Sequence, residues 1–150
     1  MSGNNTVIVD SDAIIGLLNE TDGLHNRCVK ISHYLQENKI TTVIPYPIVL
    51  EAATALAKDK TIRRPDLAKL LLRKYASIKD NGLETTDIPF RVAELYHPAT
   101  SKKNTPFDFY VLAFAKKNGI TTVFSFDSFY GKNGLQLIEQ LIEESTRNTR

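Results

Sequence analysis

Only one cysteine, Cys28, occurs in the 150 residues. The chain therefore has no internal disulfide and no cysteine-rich metal site; this suits a reducing cytosol, with Cys28 serving as a small apolar helix residue. An excess of either charge is also missing. The 19 bases and 17 acids leave a net charge of +2, which excludes the strong basic field of a nucleic-acid coat protein and leaves the partner open. No apolar run approaches the roughly 18 residues of a membrane span; the stretch 40–50 is too short and is broken by Pro45 and Pro47. The N-terminus lacks the basic region and long apolar run of a signal peptide, so the expected location is cytoplasmic. There is no internal repeat and no low-complexity linker. One domain over 1–150 is expected, burying roughly 70% of its unfolded surface, with a frayed polar tail at 145–150.

What is present is an alternation of two periodicities. Thr6-Val7-Ile8-Val9 is a short β-branched strand running into Asp10-Ser11-Asp12, and in open α/β sheets the binding crevice lies outside such strand ends. A short helix follows to Leu18, then a longer one over 24–37 with Leu24, Cys28, Ile31 and Leu35 on one face. A second strand is expected at 41–44, an alanine-rich helix at 48–58, and a helix from Pro65 to about residue 78. The segment 83–86 reads as a third strand and 88–96 as a short helix. Thr105-Pro106-Phe107-Asp108 is a helix start, with a threonine cap, proline at the first position and an acid three residues after the cap. That helix ends at Asn118-Gly119. A fourth strand at 120–124 leads to Asp127, and 135–144 is a weak strand or, in its later part, a helix. The expected fold is α/β, a three-layer sandwich whose central parallel sheet of four to five short strands is flanked by helices.

Charge is also missing locally, in four windows. Residues 1–19 carry only Asp10 and Asp12, 40–57 only Glu51, 105–115 only Asp108, and 119–131 only Asp127; all 19 bases lie elsewhere. Each acid has an ordinary reading: Asp12 and Asp108 are placed to cap helices, and Asp127 to sit in a turn. Glu51 is different, because no base stands three or four positions away to pair with it. In a parallel sheet four of these acids, two after strand ends and two early in helices, can meet at one edge. Two carboxylates at ~5 Å and an effective dielectric near 20 repel by roughly 3 kcal/mol, so such a cluster calls for a cation. A hard divalent ion takes oxygen ligands, activates water and stabilises charge on a phosphate.

Together these residues resemble the PIN domain family, especially the VapC-type toxin ribonucleases. The resemblance covers about 7–141 and rests on Val7-Ile8-Val9-Asp10-Ser11-Asp12, Pro47-Ile48-Val49-Leu50-Glu51, Phe107-Asp108-Phe109-Tyr110-Val111-Leu112-Ala113 and Thr122-Val123-Phe124-Ser125-Phe126-Asp127. It implies an acidic quartet of Asp10, Glu51, Asp108 and Asp127 holding one or two Mg²⁺ or Mn²⁺ ions, with a metal-bound water attacking an RNA phosphodiester. Ser125 matches a small polar position beside the site. Asp12 stands where serine, threonine or asparagine is commoner, and either adds a ligand or caps its helix. Ser128-Phe129 follows Asp127 without the further acid that some members carry, which leaves the number of ions open.

Bases close in sequence to these acids suggest where RNA is gripped: Lys58, Lys60, Arg63 and Arg64 after the Glu51 helix, Lys102 and Lys103 before the Asp108 helix. Phe107, Tyr110 or Phe129 is available to stack on unpaired bases. The helical pair 48–58 and 65–78 offers, as in the family, a groove for an antitoxin or for a second copy in a homodimer. Two alternatives compete. Asp10-Ser11-Asp12 after a strand is also how haloacid-dehalogenase-like phosphatases present an aspartyl nucleophile, although the threonine and glycine usual after the second aspartate are missing. The other alternative is a non-catalytic module that keeps the fold to bind RNA or protein.

Overall fold

The computed structural model describes residues 5–78, 83–99 and 103–149. Its first strand, β1 (Thr6–Val9), is built of four β-branched residues, and Val7, Ile8 and Val9 are buried. Branching at Cβ restricts χ1 and suits an extended, packed strand. β1 lies inside the sheet, parallel to β2 (Thr41–Val43) on one side and to β3 (Thr122–Phe124) on the other, with Ile8 opposite both Val43 and Val123. β4 (Gln136–Leu137) joins β3, so the strand order is β2-β1-β3-β4 and every pairing is parallel.

Parallel neighbours need crossovers, and helices supply them. α1 (Ser11–Leu18) and α2 (His25–Glu37) connect β1 to β2. α3 (Tyr46–Lys58), α4 (Pro65–Ala76), α5 (Ile88–Leu95) and α6 (Pro106–Lys117) then carry the chain back past β1 to β3. α7 (Ser128–Lys132) leads to β4, and α8 (Ile138–Asn148) closes the described chain. The winding therefore reverses between β1 and β3. At such a reversal the loops after the two strands splay apart and leave a crevice. Beneath it lies a single apolar core that includes Ile8, Ile48, Leu56, Leu112, Val123 and Ile138. α1 and α2 approach closely at Gly16, where an added Cβ would sit 2.6 Å from the Cys28 sulfur. Cys28 is fully buried there, and burial pushes its thiol up to about 12, so it packs rather than reacts.

The expected parallel sheet is present, with four strands among the described residues, but one of them is not where the sequence placed it. Residues 83–86 form no strand, because the Asn118 side chain takes the place of a ladder: its Oδ1 accepts from the Glu84 N–H at 2.7 Å and its Nδ2 donates to the Glu84 carbonyl at 2.9 Å. The fourth strand is β4 instead. The segment 135–144 combines both of its expected forms, a two-residue strand followed by a helix. That helix continues to Asn148. Among the described residues, no helix is long and apolar enough to cross a membrane.

Candidate active site

Asp10 is the first residue after β1, and its N–H still bonds the Phe124 carbonyl on β3 at 3.1 Å. It caps α1 by accepting the Ser11 N–H at 2.8 Å, and its other oxygen accepts the Tyr130 hydroxyl at 2.7 Å. The residue is only 4% exposed. Burial, followed by the charge of Asp12 and with a smaller contribution from Glu51, pushes its carboxyl up to about 8, against the lowering effect of the Tyr130 and Ser11 hydrogen bonds.

Glu51 arrives from the other side, in the second turn of α3. Its Oε1 is buried with no hydrogen-bond partner among the described residues, while the Ser11 hydroxyl bonds the carboxylate. Burial raises its pKa; the Ser11 bond lowers it, and the charges of Asp108 and Asp12 raise it again. An orphaned buried acceptor costs about 1–3 kcal/mol unless a donor or a cation meets it.

Asp108 and Asp127 each cap a helix beside the cluster. Asp108 Oδ2 accepts the Thr105 N–H at 2.8 Å across the first turn of α6, and its Oδ1 stands 3.4 Å from the Tyr130 hydroxyl. Asp127 Oδ1 accepts the Phe129 N–H at 2.9 Å at the start of α7. The Asn104 amide lies 3.3 Å from Asp108 Oδ2 and 3.3 Å from Asp127 Oδ2, tying the two together.

Asp12 is held differently. Its Oδ1 accepts the Ala13 N–H at 2.8 Å, and its Oδ2 accepts the Phe126 N–H at 2.8 Å and the Ser125 hydroxyl at 3.0 Å. Both oxygens are thus committed to bracing the start of α1 against the β3–α7 turn. Ser125, 1% exposed, completes the brace by accepting the Asp127 N–H at 3.2 Å. Burial raises the Asp12 pKa, and these hydrogen bonds oppose it.

Tyr130, Asn104 and Ser11 were not singled out by the sequence reading. Tyr130 lies three residues after Asp127 in an apolar aromatic run and looks like core; Asn104 merely precedes a helix cap. Only Ser11 adjoins a motif acid in sequence; Tyr130 and Asn104 stand three and four positions from one.

The expected RNA contacts divide. Arg64 is drawn onto Asp66, with Nε at 2.9 Å from Oδ1 and Nη2 at 2.8 Å from Oδ2. Lys58 lies at the end of α3, about 10 Å along the axis from Glu51 at 1.5 Å per residue. Arg63 is in the following loop with φ 48°. Lys103 borders a cleft that also contains Asp127, and Lys102 lies outside the described residues. Of the three aromatics, Phe107 is 39% exposed, whereas Phe129 is 8% exposed and packs edge-on against Phe109. Tyr110 faces a groove beside Ile44 and Tyr46 and stacks on Phe114. Stacking on a base therefore remains open to Phe107 and is closed to Phe129, whose ring is core.

The donor set at the crevice is all oxygen, the charges that act on Asp10 and Glu51 after burial are those of other carboxylates, and Glu51 Oε1 has no partner among the described residues. This chemistry fits a hard divalent cation. As the side chains stand, no group of three acids among the described residues is arranged to hold an ion, because Asp12, Asp108 and Asp127 are each turned onto backbone N–H groups.

A family model for the PIN domain matches residues 7–131, from β1 through most of α7. No curated protein matches the sequence. Among solved structures, the Mycobacterium tuberculosis toxin VapC20, described as cleaving the sarcin-ricin loop, superimposes with a TM-score of 0.70 at 17% identity, covering 86% of this chain and 95% of that one. At that identity the likeness establishes the fold, and the family match independently spans every acid of the crevice: the chain belongs to the PIN domain family.

Proposed function

We propose that the protein is a metal-dependent endoribonuclease that hydrolyses RNA phosphodiester bonds, and that it is the toxin of a VapBC-type toxin–antitoxin pair. What supports this reading is that Asp10, Glu51, Asp108 and Asp127 all lie around the β1/β3 crevice, with Glu51 Oε1 lacking a hydrogen-bond partner among the described residues. These four side chains are the ligands for Mg²⁺ or Mn²⁺. When bound, such an ion activates water near neutral pH and neutralises charge developing on the phosphate. Asp10 is buried, whereas Glu51, Asp108 and Asp127 are half-buried, so an ion held by the four would be shielded on the Asp10 side and reachable from the others. Asp12 and Ser125 position the loop that carries Asp127. Lys58, Arg63, Arg64, Lys102 and Lys103 remain proposed contacts to the RNA backbone, with Arg64 exchanging Asp66 for phosphate. A cognate antitoxin and a second copy of the chain are the proposed protein partners, and the cytoplasm the proposed location.

The family match favours this reading over the phosphatase. So does the geometry of Asp10, whose two oxygens are held by Ser11 and Tyr130 in a nearly closed site, a poor setting for a nucleophile. The test incubates the pure protein with a panel of structured RNAs, including a sarcin-ricin-type hairpin, with Mg²⁺ or Mn²⁺ and then with chelator. Glu51→Gln and Asp108→Asn run in parallel. Metal-dependent cuts that vanish in both variants are expected. Cleavage persisting in either removes that residue from the site; RNA binding with no cleavage under any metal supports the non-catalytic module instead.

A further inference from the structure

A cleft of about 550 Å³ borders Asp127 and is not lined by Asp10, Glu51 or Asp108; its size is within the roughly 300–1,000 Å³ typical of ligand sites. Asp127 and Asn104 form the ridge between the cleft and the acidic centre. Beyond that ridge the sign of the charge changes. Lys103 enters from the segment before α6 and Lys132 from the last turn of α7, with His97 and Asn133 beside them. His97 Nδ1 accepts the Ala99 N–H at 3.1 Å. The cleft is floored by Phe109 and Phe129, but these rings are buried and meet each other edge-on at 5.1 Å. They offer no face on which a base can stack. The walls therefore suit phosphate and ribose rather than bases.

We infer that this cleft is a subsite for the sugar-phosphate backbone of single-stranded RNA, holding the nucleotide next to the bond being cut, with Lys103 and Lys132 as its phosphate contacts. It rests on the nuclease reading above. A strand lying across Asp127 presents one phosphate to the acidic centre, where a cation is needed, and the next to the two lysines. Because the contact is to backbone, it is indifferent to sequence and adds to binding rather than to chemistry.

The test compares wild type with the double variant Lys103→Ala/Lys132→Ala, and with Lys69→Ala/Lys74→Ala on α4 as a control of equal charge. Cleavage of a short single-stranded RNA with Mn²⁺ and binding of the same RNA across a salt series are measured. The cleft variant should show KM raised roughly tenfold with kcat within about twofold. Its log–log salt slope should be shallower by about 0.7, the loss of one phosphate contact on a single strand. The Mn²⁺-induced rise in melting temperature should match wild type, which shows that the acidic centre is intact. A wild-type KM and slope in the cleft variant, or the same loss in the α4 control, overturns the subsite. If the wild type binds RNA and the cleft variant loses slope, yet no cleavage occurs with either metal, the cleft stands as an RNA contact and only the nuclease reading falls.

Discussion

The hydroxyl of Tyr130 stands between Asp10 and Asp108, 2.7 Å from Oδ2 of the first and 3.4 Å from Oδ1 of the second. A hydroxyl has one proton to give, and the shorter contact shows that it goes to Asp10. Tyr130 itself is fully buried, and burial, together with the neighbouring acids, raises its own pKa, so it remains a donor throughout the accessible pH range. It is the one hydroxyl within close hydrogen-bonding distance of Asp10 among the described contacts, Ser125 lying at 3.5 Å.

Tyr130→Phe removes that donor without changing the packing of the ring. Near pH 6, where Asp10 is protonated, the loss should cost about 1 kcal/mol, as for a neutral hydrogen bond. Near pH 9, where Asp10 is charged, it should rise to roughly 2 kcal/mol, or about 4–8 °C in melting temperature. Melts of the metal-free protein at both pH values decide this; an equal penalty at each would mean that Tyr130 does not hold the ionised carboxylate.

Asp10 makes the metal-free protein sensitive to alkali. Its folded pKa, up to about 8 from 3.8, means that the folded state holds the proton more tightly than the unfolded one. The associated stability is complete below pH ~4 and lost as pH rises toward 8. The melting temperature of the wild type in chelator should fall across that window, and Asp10→Asn should flatten the profile and melt higher at pH 8. Mn²⁺ should reverse the order, because an ion replaces the proton: at 100 times Kd it adds about 2.7 kcal/mol, or roughly 5–10 °C. The same Mn²⁺ shift in Asp10→Asn as in wild type would remove Asp10 from the metal site.

The parts of this site that were legible in the sequence are those dictated by local rules. Asp108 could be placed because Thr105-Pro106 starts a helix by capping chemistry that involves only neighbours. Asp10 could be placed because a β-branched run ends directly before it, and Asp127 because a strand ends three residues before it. What stayed hidden depends on contacts across the chain. The brace from Asp12 to Phe126 spans 114 residues and the Tyr130–Asp10 bond 120, and no periodicity encodes either. Residues 83–86 were misread for the same reason, since the Asn118 side chain that satisfies Glu84 lies 34 positions away.

Asp12 should behave as a brace and not as a ligand. Asp12→Ala leaves the Ala13 and Phe126 N–H groups without their acceptor, which should cost about 2–4 kcal/mol. The fall in melting temperature should be the same with and without Mn²⁺, and the Mn²⁺-induced shift should equal that of wild type. A variant that is stable in chelator but has lost its Mn²⁺ shift would instead make Asp12 a ligand.

Glu51 sets stability against activity. In the metal-free protein its carboxylate is penalised first by burial and then by Asp108 and Asp12, and its Oε1 has no partner among the described residues. Glu51→Gln keeps the shape and the acceptor for Ser11 but replaces a repelled charge with an amide that can donate toward the neighbouring acids. The variant should therefore melt higher than wild type in chelator at pH 7–8, by roughly 2–4 °C for about 1 kcal/mol. With Mn²⁺ it should gain less than wild type, and metal-dependent RNA cleavage should fall by at least about a hundredfold, as expected when a group acting on the transition state is lost. Calorimetric melts and single-turnover cleavage on the same preparations separate the two effects. A Glu51→Gln protein that is less stable than wild type without metal would show that the orphaned oxygen has a partner in solution and is not held in reserve for a cation.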